Sequence, residues 1–471
     1  MVWLALGHAL LGLIGLAFLR ASEEEQERAA SWAALAGIGL ALVTWLARDT
    51  DWAWRTVSLG ATDAALIAAA VGGAWILVLA DPRRHAVQVA CVGFAATGLA
   101  LFATNAWVVP AMLFWTVSSI SLIALDPYAS PLSRLVLAVA DLGVIAALGF
   151  GALEAETWSA RGALEGWPAW VALGAGILRT GAIPVVGVWG LQAASLPLVT
   201  VGAFAVLRLA GDLARPGVAL VLLGLALFSA AWSALVRRPT VSVLGAWPVA
   251  LMAACGYLVP EALPRAAVTA AVAVALASLW PVALGRAGAE RGLVLALAPA
   301  TLGFGVVVAA TTHAFRQAAA ETGVGEAGPW AAIAGLLPLA VAAGIWVGAA
   351  MGRRREPEHY EPAAVIATWG LVALAVLAGL APSGELSWPS GGRGTWLAAL
   401  AVAVGVGAAR FFPHRAAPSV MVDAPEVPER SHVRLPRTLK GLVAGVTVGA
   451  GAALVGVTVW VAYRGLLVGF L

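Results

Sequence analysis

The sequence predicts an all-α polytopic membrane protein with about 14–16 transmembrane helices, arranged as two inverted five-helix repeats with broken seventh and twelfth helices. Hydrophobic residues make up 61% of the chain and charged residues 11%, against about 25% charged residues in a soluble domain. Apolar runs of about 18 residues or more, long enough to cross a bilayer, recur along the whole sequence. They do not alternate apolar and polar residues, which excludes the strands of a membrane barrel.

The predicted helices follow the apolar runs in chain order. Because the first run has neither a basic start nor a small-x-small cleavage site, we expect a retained helix rather than a signal peptide. The charge runs Glu23–Arg28 and Arg353–Glu358 are interpreted as solvated connections or docking surfaces for a partner. The predicted segments are 2–19, 30–47, 61–80, 86–104, 105–125, 132–154, 168–193, 195–211, 216–236, 239–258, 264–285, 291–313, 330–351, 362–381, 394–412 and 438–465.

Arginine placement predicts the orientation. The odd-numbered connections carry arginines such as Arg83, Arg84, Arg237 and Arg238, whereas the even-numbered ones are longer and acidic or neutral. Basic connections stay on the cytoplasmic side. We therefore expect a multi-pass protein of the bacterial inner membrane with both termini on the periplasmic side.

Two predicted helices contain an interruption. The seventh carries Gly181 and Pro184 at its centre, with Arg179 just before them, and proline removes a backbone donor and bends a helix. The twelfth has a weaker interruption between Pro299 and Gly303. Breaks at mid-depth are tolerated where they line a cavity, and they point to an ion or substrate site.

Asp141 and Arg179 are the main candidates for an ion pathway. Asp141 is the most deeply placed carboxylate; it is a proton relay, the counter-ion of Arg179 or Arg208, or a lone protonated acid. Arg179 either binds an anion or tunes a neighbouring acid, or it is a structural partner of an acid. A charge at this depth costs at least about 2.5–3.5 kcal/mol, so we expect it to have a partner.

Three further side chains are weaker candidates. Arg208 is spaced to form an i,i+4 surface pair with Asp212. His313 near the end of the twelfth span and His8 in the first titrate near neutral pH, so each is a proton donor to water or an ordinary interfacial histidine. The two cysteines lie in apolar runs, and no metal or cofactor motif is found.

Four stretches carry a family resemblance through their order and spacing: Asn105-Ala-Trp…Trp115-Thr116-Val-Ser-Ser, Arg179-Thr180-Gly181…Pro184…Trp189, Arg237-Arg238…Gly256-Tyr257 and Pro299…Gly303-Phe304. They resemble the antiporter-like membrane subunits of respiratory complex I, a family that includes Mrp cation antiporters, membrane-bound hydrogenases and the B subunit of the Dab inorganic-carbon complex. The resemblance implies N-terminal helices over 1–104, a first antiporter-like half over 105–258 with its break near 179–189, a second half over 259–412, and a polar linker with a final helix over 413–471.

The departures from the family pattern concern the groups that carry protons. Thr116 stands where the family has a glutamate, and Arg179 stands where it has a lysine. Lysine occurs once in the chain, at Lys440, and an arginine does not give up its proton at physiological pH. Thr116 therefore remains a candidate only by position.

The implied function is proton or sodium translocation in an energy-converting complex, or a degenerate, scaffold-like version of it. The resemblance implies other membrane subunits and a soluble or peripheral catalytic partner, with no nucleic acid. The chain is not catalytic by itself, although its complex could be an ion-translocating oxidoreductase. One alternative is a Dab-type subunit that uses proton influx for carbon dioxide or bicarbonate accumulation. The other is a stand-alone transporter of a small anion, with Arg179 as its site.

Overall fold

The computed structural model describes residues 2–46, 61–80, 85–103, 108–125, 131–154, 164–180, 202, 205–215, 217–222, 224–225 and 437–470. The chain divides into one compact unit formed by Met1–Leu213 with Pro428–Leu471 and a second formed by Ala214–Val427. Almost all of the described residues belong to the first unit, and the account below concerns that unit alone.

The described part of the chain is helical and contains no strand. The helices are α1 (Val2–Ala17), α2 (Glu23–Leu46), α3 (Ala61–Ala80), α4 (His85–Ala103), α5 (Val108–Leu125), α6 (Pro131–Glu154), α7 (Gly166–Thr180) and the C-terminal helix (Arg437–Phe470). A 3-10 turn follows α1 at Phe18–Arg20, a π-helical turn covers Ala205–Leu209, and a 3-10 turn covers Gly211–Leu213.

By length and composition, three helices in these ranges can cross a membrane: Trp3–Arg20, Arg134–Glu154 and Thr438–Gly465. The prediction of an all-α membrane protein is thereby confirmed. The helix count, the inverted repeats and the broken twelfth helix concern residues outside the described ranges and stay predictions. The break in the seventh helix also stays a prediction, because Gly181 and Pro184 lie just beyond the described end of α7.

The interpretation of Glu23–Arg28 as a connection is wrong. These residues form the first turns of α2, which begins at Glu23. The backbone N–H of Ser22 donates to Glu25 Oε2 over 3.1 Å, and the Glu25 N–H donates to Ser22 Oγ over 3.4 Å. This reciprocal capping box satisfies backbone groups at the helix start. Three glutamates in the first turn also suit the positive end of the helix dipole.

Neighbouring helices of the first unit pack against each other, and α1 with α4, α2 with α4 and the C-terminal helix add long-range contacts. α1 packs along α4, and the C-terminal helix packs along α6 and α5. The α1–α4 contact depends on glycine: a Cβ on Gly15 would lie 2.4 Å from the Ala90 backbone nitrogen, and one on Gly93 would lie 2.4 Å from the Gly12 nitrogen. Small residues let membrane helices approach at backbone distance, which is how such helices associate in lipid.

Candidate functional site: a buried ion pair between three helices

The hairpin of α6 and α7 brings Asp141 opposite Arg179. The indole N–H of Trp167 donates to Glu154 Oε1 over 2.8 Å at the open end of the hairpin. Further in, a Cβ on Gly143 would lie 2.6 Å from the Ala175 Cβ, so the two helices touch closely there. Glu154 of α6 thus meets Trp167 of α7, and the earlier Gly143 meets the later Ala175. The two helices are therefore antiparallel. At 1.5 Å per residue, Asp141 and Arg179 each lie about 18–20 Å from this end.

Asp141 and Arg179 form an ion pair in the interior of the unit. Arg179 Nε lies 2.6 Å from Asp141 Oδ1, and both side chains are fully buried. The prediction left either Arg179 or Arg208 as the counter-ion, and the structure pairs Asp141 with Arg179. Breaking a buried pair of this kind by removing one partner costs about 3–5 kcal/mol, because a buried charge is then left uncompensated.

Helix α5 supplies two more donors to the same carboxylate. The indole N–H of Trp115 donates to Asp141 Oδ1 over 3.0 Å, and the Ser119 hydroxyl donates to Asp141 Oδ2. Trp115 and Ser119 are four residues apart, so they lie on one face of α5. Both carboxylate oxygens thus accept a hydrogen bond from α5, while the arginine approaches from α7.

Trp115 also contacts the arginine. The Arg179 Cζ lies 5.2 Å from the centroid of the Trp115 ring, within the range of a cation–π interaction. One indole therefore donates its N–H to the anion and presents its ring to the cation. We call this group the Asp141 cluster; its members are Trp115, Ser119, Asp141 and Arg179.

Thr116 lies on the face of α5 next to that of Trp115 and contacts the C-terminal helix. Its Oγ1 lies 2.9 Å from Thr458 Oγ1, and both side chains are buried. The position that the family resemblance would give to a glutamate is thus occupied by a short hydroxyl in an interhelical hydrogen bond. In this structure Thr116 does not contact Asp141 through any described hydrogen bond.

Arg208 and His8 are described by the structure, whereas His313 lies outside the described residues. Arg208 lies in the π-helical turn and Asp212 in the following 3-10 turn, and their pairing stays a prediction. His8 is buried, and its Nδ1 accepts from the Trp75 indole N–H over 3.3 Å.

Trp115, Ser119 and Thr458 were not singled out from the sequence as partners of the site. The i,i+4 spacing of Trp115 and Ser119 was a usable signal, since it places two donors on one face of an apolar helix. Thr458 lies 342 residues from Thr116 and had no signal of its own. Among the described residues, no group of three or more His, Cys, Asp or Glu is placed to hold a metal ion.

The chain is similar in structure to a chain of respiratory complex I from Thermus thermophilus with bound NADH. The TM-score is 0.50 at 18% sequence identity, and the alignment covers 86% of this chain and 100% of that chain. At this identity the likeness establishes a shared fold alone. No protein-family model and no curated protein sequence matches the chain.

Proposed function

We propose that this chain is an antiporter-like membrane subunit of a larger energy-converting complex, and that it serves as a scaffold in which the Asp141 cluster holds helices together and relays no protons. The fold shared with a chain of respiratory complex I supports the first half of the proposal. The saturated carboxylate of Asp141 carries the second half. The proposed location is a bacterial inner membrane, with both termini on the periplasmic side.

A proton relay needs a group that alternates between protonated and deprotonated states. The Asp141 carboxylate accepts from Trp115 and Ser119 and lies against the Arg179 guanidinium. Protonation would replace an accepting lone pair with a donor, and it would leave a buried arginine without its counter-ion. The arginine does not release its own proton. Both members of the pair are therefore suited to a fixed structural role.

The ion pair also argues against a stand-alone anion transporter with its site at Arg179. The charge that would attract an anion is already compensated by Asp141 at 2.6 Å. An incoming anion would have to displace a carboxylate that two further donors hold in place. A half-channel rebuilt on Asp141 and Arg179 meets the same difficulty.

The proposal is tested on the native complex, purified from membranes with its co-purifying chains identified. The complex is then reconstituted in liposomes with the wild-type chain or with the double variant Asp141→Leu/Arg179→Met, which removes both charges at similar volume. We expect normal assembly and wild-type ion flux, because replacing a buried pair by apolar residues is often neutral. Normal assembly with lost flux would show that the pair moves ions.

Two controls complete this design. Trp115→Phe keeps both charges, and we expect its flux to have the wild-type pH dependence; a shifted pH profile would indicate a relay. The identity of the co-purifying chains separates the possible complexes, since a large zinc-binding partner would identify the Dab-type alternative and redox subunits a respiratory one. A chain that purifies alone and takes up an anion would contradict the proposal as a whole.

A further inference from the structure

The C-terminal helix packs on α6 and α5. Helix α6 carries the acceptor Asp141, and α5 carries the two donors Trp115 and Ser119. Its buried face carries Val443, Thr447, Leu454, Thr458 and Val461. Thr458 meets Thr116 of α5 on this face, with 2.9 Å between the two hydroxyl oxygens. This polar contact lies one residue along α5 from Trp115, which donates to Asp141.

The direction of this hydrogen bond follows from counting protons. The Thr458 hydroxyl donates to the Leu454 carbonyl over 2.8 Å, and a hydroxyl has a single proton to donate. Thr116 is therefore the donor to Thr458. The Thr458 side chain is in turn fixed by its own helix, so it offers Thr116 an acceptor at a defined place.

The same level of the structure is a close junction of three helices. A Cβ on Gly149 of α6 would lie 2.8 Å from Val461 of the C-terminal helix and 3.1 Å from Met112 of α5. Met112 and Thr116 are four residues apart and share one face of α5. The C-terminal helix thus contacts α5 by a hydrogen bond and approaches α6 at a glycine.

Helix α5 presents two adjacent faces to two different neighbours. Thr116 faces the C-terminal helix, while Trp115 and Ser119 face Asp141. In an α-helix, consecutive residues are separated by about 100° around the axis. Any rotation of α5 that releases Thr116 from Thr458 therefore also turns Trp115 and Ser119 relative to the carboxylate.

We infer that Thr458 is a positioning residue of the Asp141 cluster: through Thr116, the C-terminal helix sets the rotation of α5 that brings Trp115 and Ser119 to Asp141. The inference rests on the proposed structural role of that cluster, but its test measures the position of an indole and involves no ion flux. The Asp141 cluster then depends on a helix that is distant from it in sequence, the C-terminal helix Arg437–Phe470.

The test follows the environment of Trp115 by fluorine NMR. The full chain is labelled with 5-fluorotryptophan, and the Trp115 resonance is assigned as the signal lost in Trp115→Phe. The variants are Thr458→Val, Thr458→Ser and Thr447→Val. Thr447 is a matched control, because it is also buried on this helix and donates to the carbonyl four residues before it, Val443, over 2.7 Å.

We expect Thr458→Val to move the Trp115 resonance, and Thr458→Ser and Thr447→Val to leave it at the wild-type position. Thr116→Val removes the same hydrogen bond from the α5 side and should move the resonance as well, which keeps the test usable if Thr458→Val does not fold. An unchanged resonance in the folded valine variants, or an equal shift in Thr447→Val, would overturn the inference. If these shifts are as expected but ion flux is lost in Asp141→Leu/Arg179→Met, the proposed function is contradicted and the positioning role of Thr458 is not.

Discussion

Among the described residues of the first unit, His8 and Asp141 are buried titratable side chains that each accept a hydrogen bond from a tryptophan, and they are held in different ways. In the N-terminal helices, His8 accepts from Trp75 over 3.3 Å, and the two rings stack with 6.2 Å between their centroids. In the helices around α6, Asp141 accepts from Trp115, from Ser119 and from the arginine of α7.

The difference shows how the cost of burial depends on charge. An imidazole that accepts at Nδ1 from an indole carries its proton on Nε2 and is neutral, so its burial needs no counter-ion. A carboxylate and a guanidinium must each be compensated, because an unpaired charge in the interior costs several kcal/mol. The buried histidine is accordingly held by one hydrogen bond from α3, whereas the Asp141 carboxylate receives donors from two neighbouring helices.

The largest expected effect comes from removing one charge of the Asp141–Arg179 pair. Asp141→Asn leaves Arg179 buried without a counter-ion, and we expect it to lower the free energy of unfolding by about 3–5 kcal/mol. The double variant Asp141→Leu/Arg179→Met should recover part of this loss, because no uncompensated charge remains, but it stays below wild type because Trp115 and Ser119 lose their acceptor. Thermal unfolding of the purified chain in detergent measures both. Equal losses in the single and double variants would show that packing, and not charge, determines the effect.

The two tryptophans provide a more direct comparison of the regions. Trp115→Phe removes a donor to a charged acceptor and should cost about 1.5–3 kcal/mol. Trp75→Phe removes a donor to a neutral acceptor and should cost about 0.5–1.5 kcal/mol. Because the substitution is the same, the difference between the two losses reports the charged surroundings of Trp115, which are the Asp141 acceptor and the Arg179 cation over its ring. If Trp75→Phe proved the more costly, the contrast between the regions would be wrong.

The glycine contacts of the N-terminal region are tested by Gly15→Ala. Its new Cβ would meet backbone atoms of α4 at 2.4 Å and 2.7 Å, and overpacking of this kind costs about 1–3 kcal/mol. Gly39→Ala in α2 is the control, because nothing lies within 4 Å of its Cβ. Both variants gain about 0.5–1 kcal/mol of helix preference, so their difference in unfolding temperature measures the contact. Equal unfolding temperatures would contradict close α1–α4 packing.

The smallest effect concerns a charge outside the membrane-spanning segments. Hydrogen bonds from the backbone N–H and the hydroxyl of Ser22 lower the pKa of Glu25 below its ordinary value of 4.5. The ionised form is thus favoured in the folded state, so this stabilisation is complete above pH 4.5 and is lost as the pH falls through the lowered pKa. Glu25→Gln should unfold at a lower temperature than wild type near neutral pH, with a difference that disappears on acidification. A difference that grew with acidity would contradict this assignment.

Much of the helix pattern could be predicted from the sequence, because long apolar runs have clear ends. The third segment, 61–80, matches α3 (Ala61–Ala80), and the sixth, 132–154, matches α6 (Pro131–Glu154) within one residue. The start of α2 was missed because charged residues were taken to mark a connection, although Glu and Arg are good helix formers and Ser22 with Glu25 has capping-box spacing.

The composition of the site was only half predictable. Asp141 and Arg179 stood out because charges are rare in apolar segments, but a sequence does not give the register between helices, so Arg208 remained an alternative as the partner. The contact of Thr116 with Thr458 joins residues from distant parts of the chain, and no local pattern reports such a contact. What the sequence could not supply was therefore the tertiary arrangement that saturates the carboxylate.

The protonation state of Asp141 during turnover tests the central claim most directly. Infrared difference spectra of the reconstituted native complex, recorded with and without its driving reaction, detect the carbonyl band of a carboxylic acid that gains or loses a proton. We predict no such band from Asp141, so the spectra of wild type and Asp141→Asn should agree in the carboxylic acid region. A band that appears on turnover in the wild type and is absent from Asp141→Asn would contradict the structural role of the ion pair.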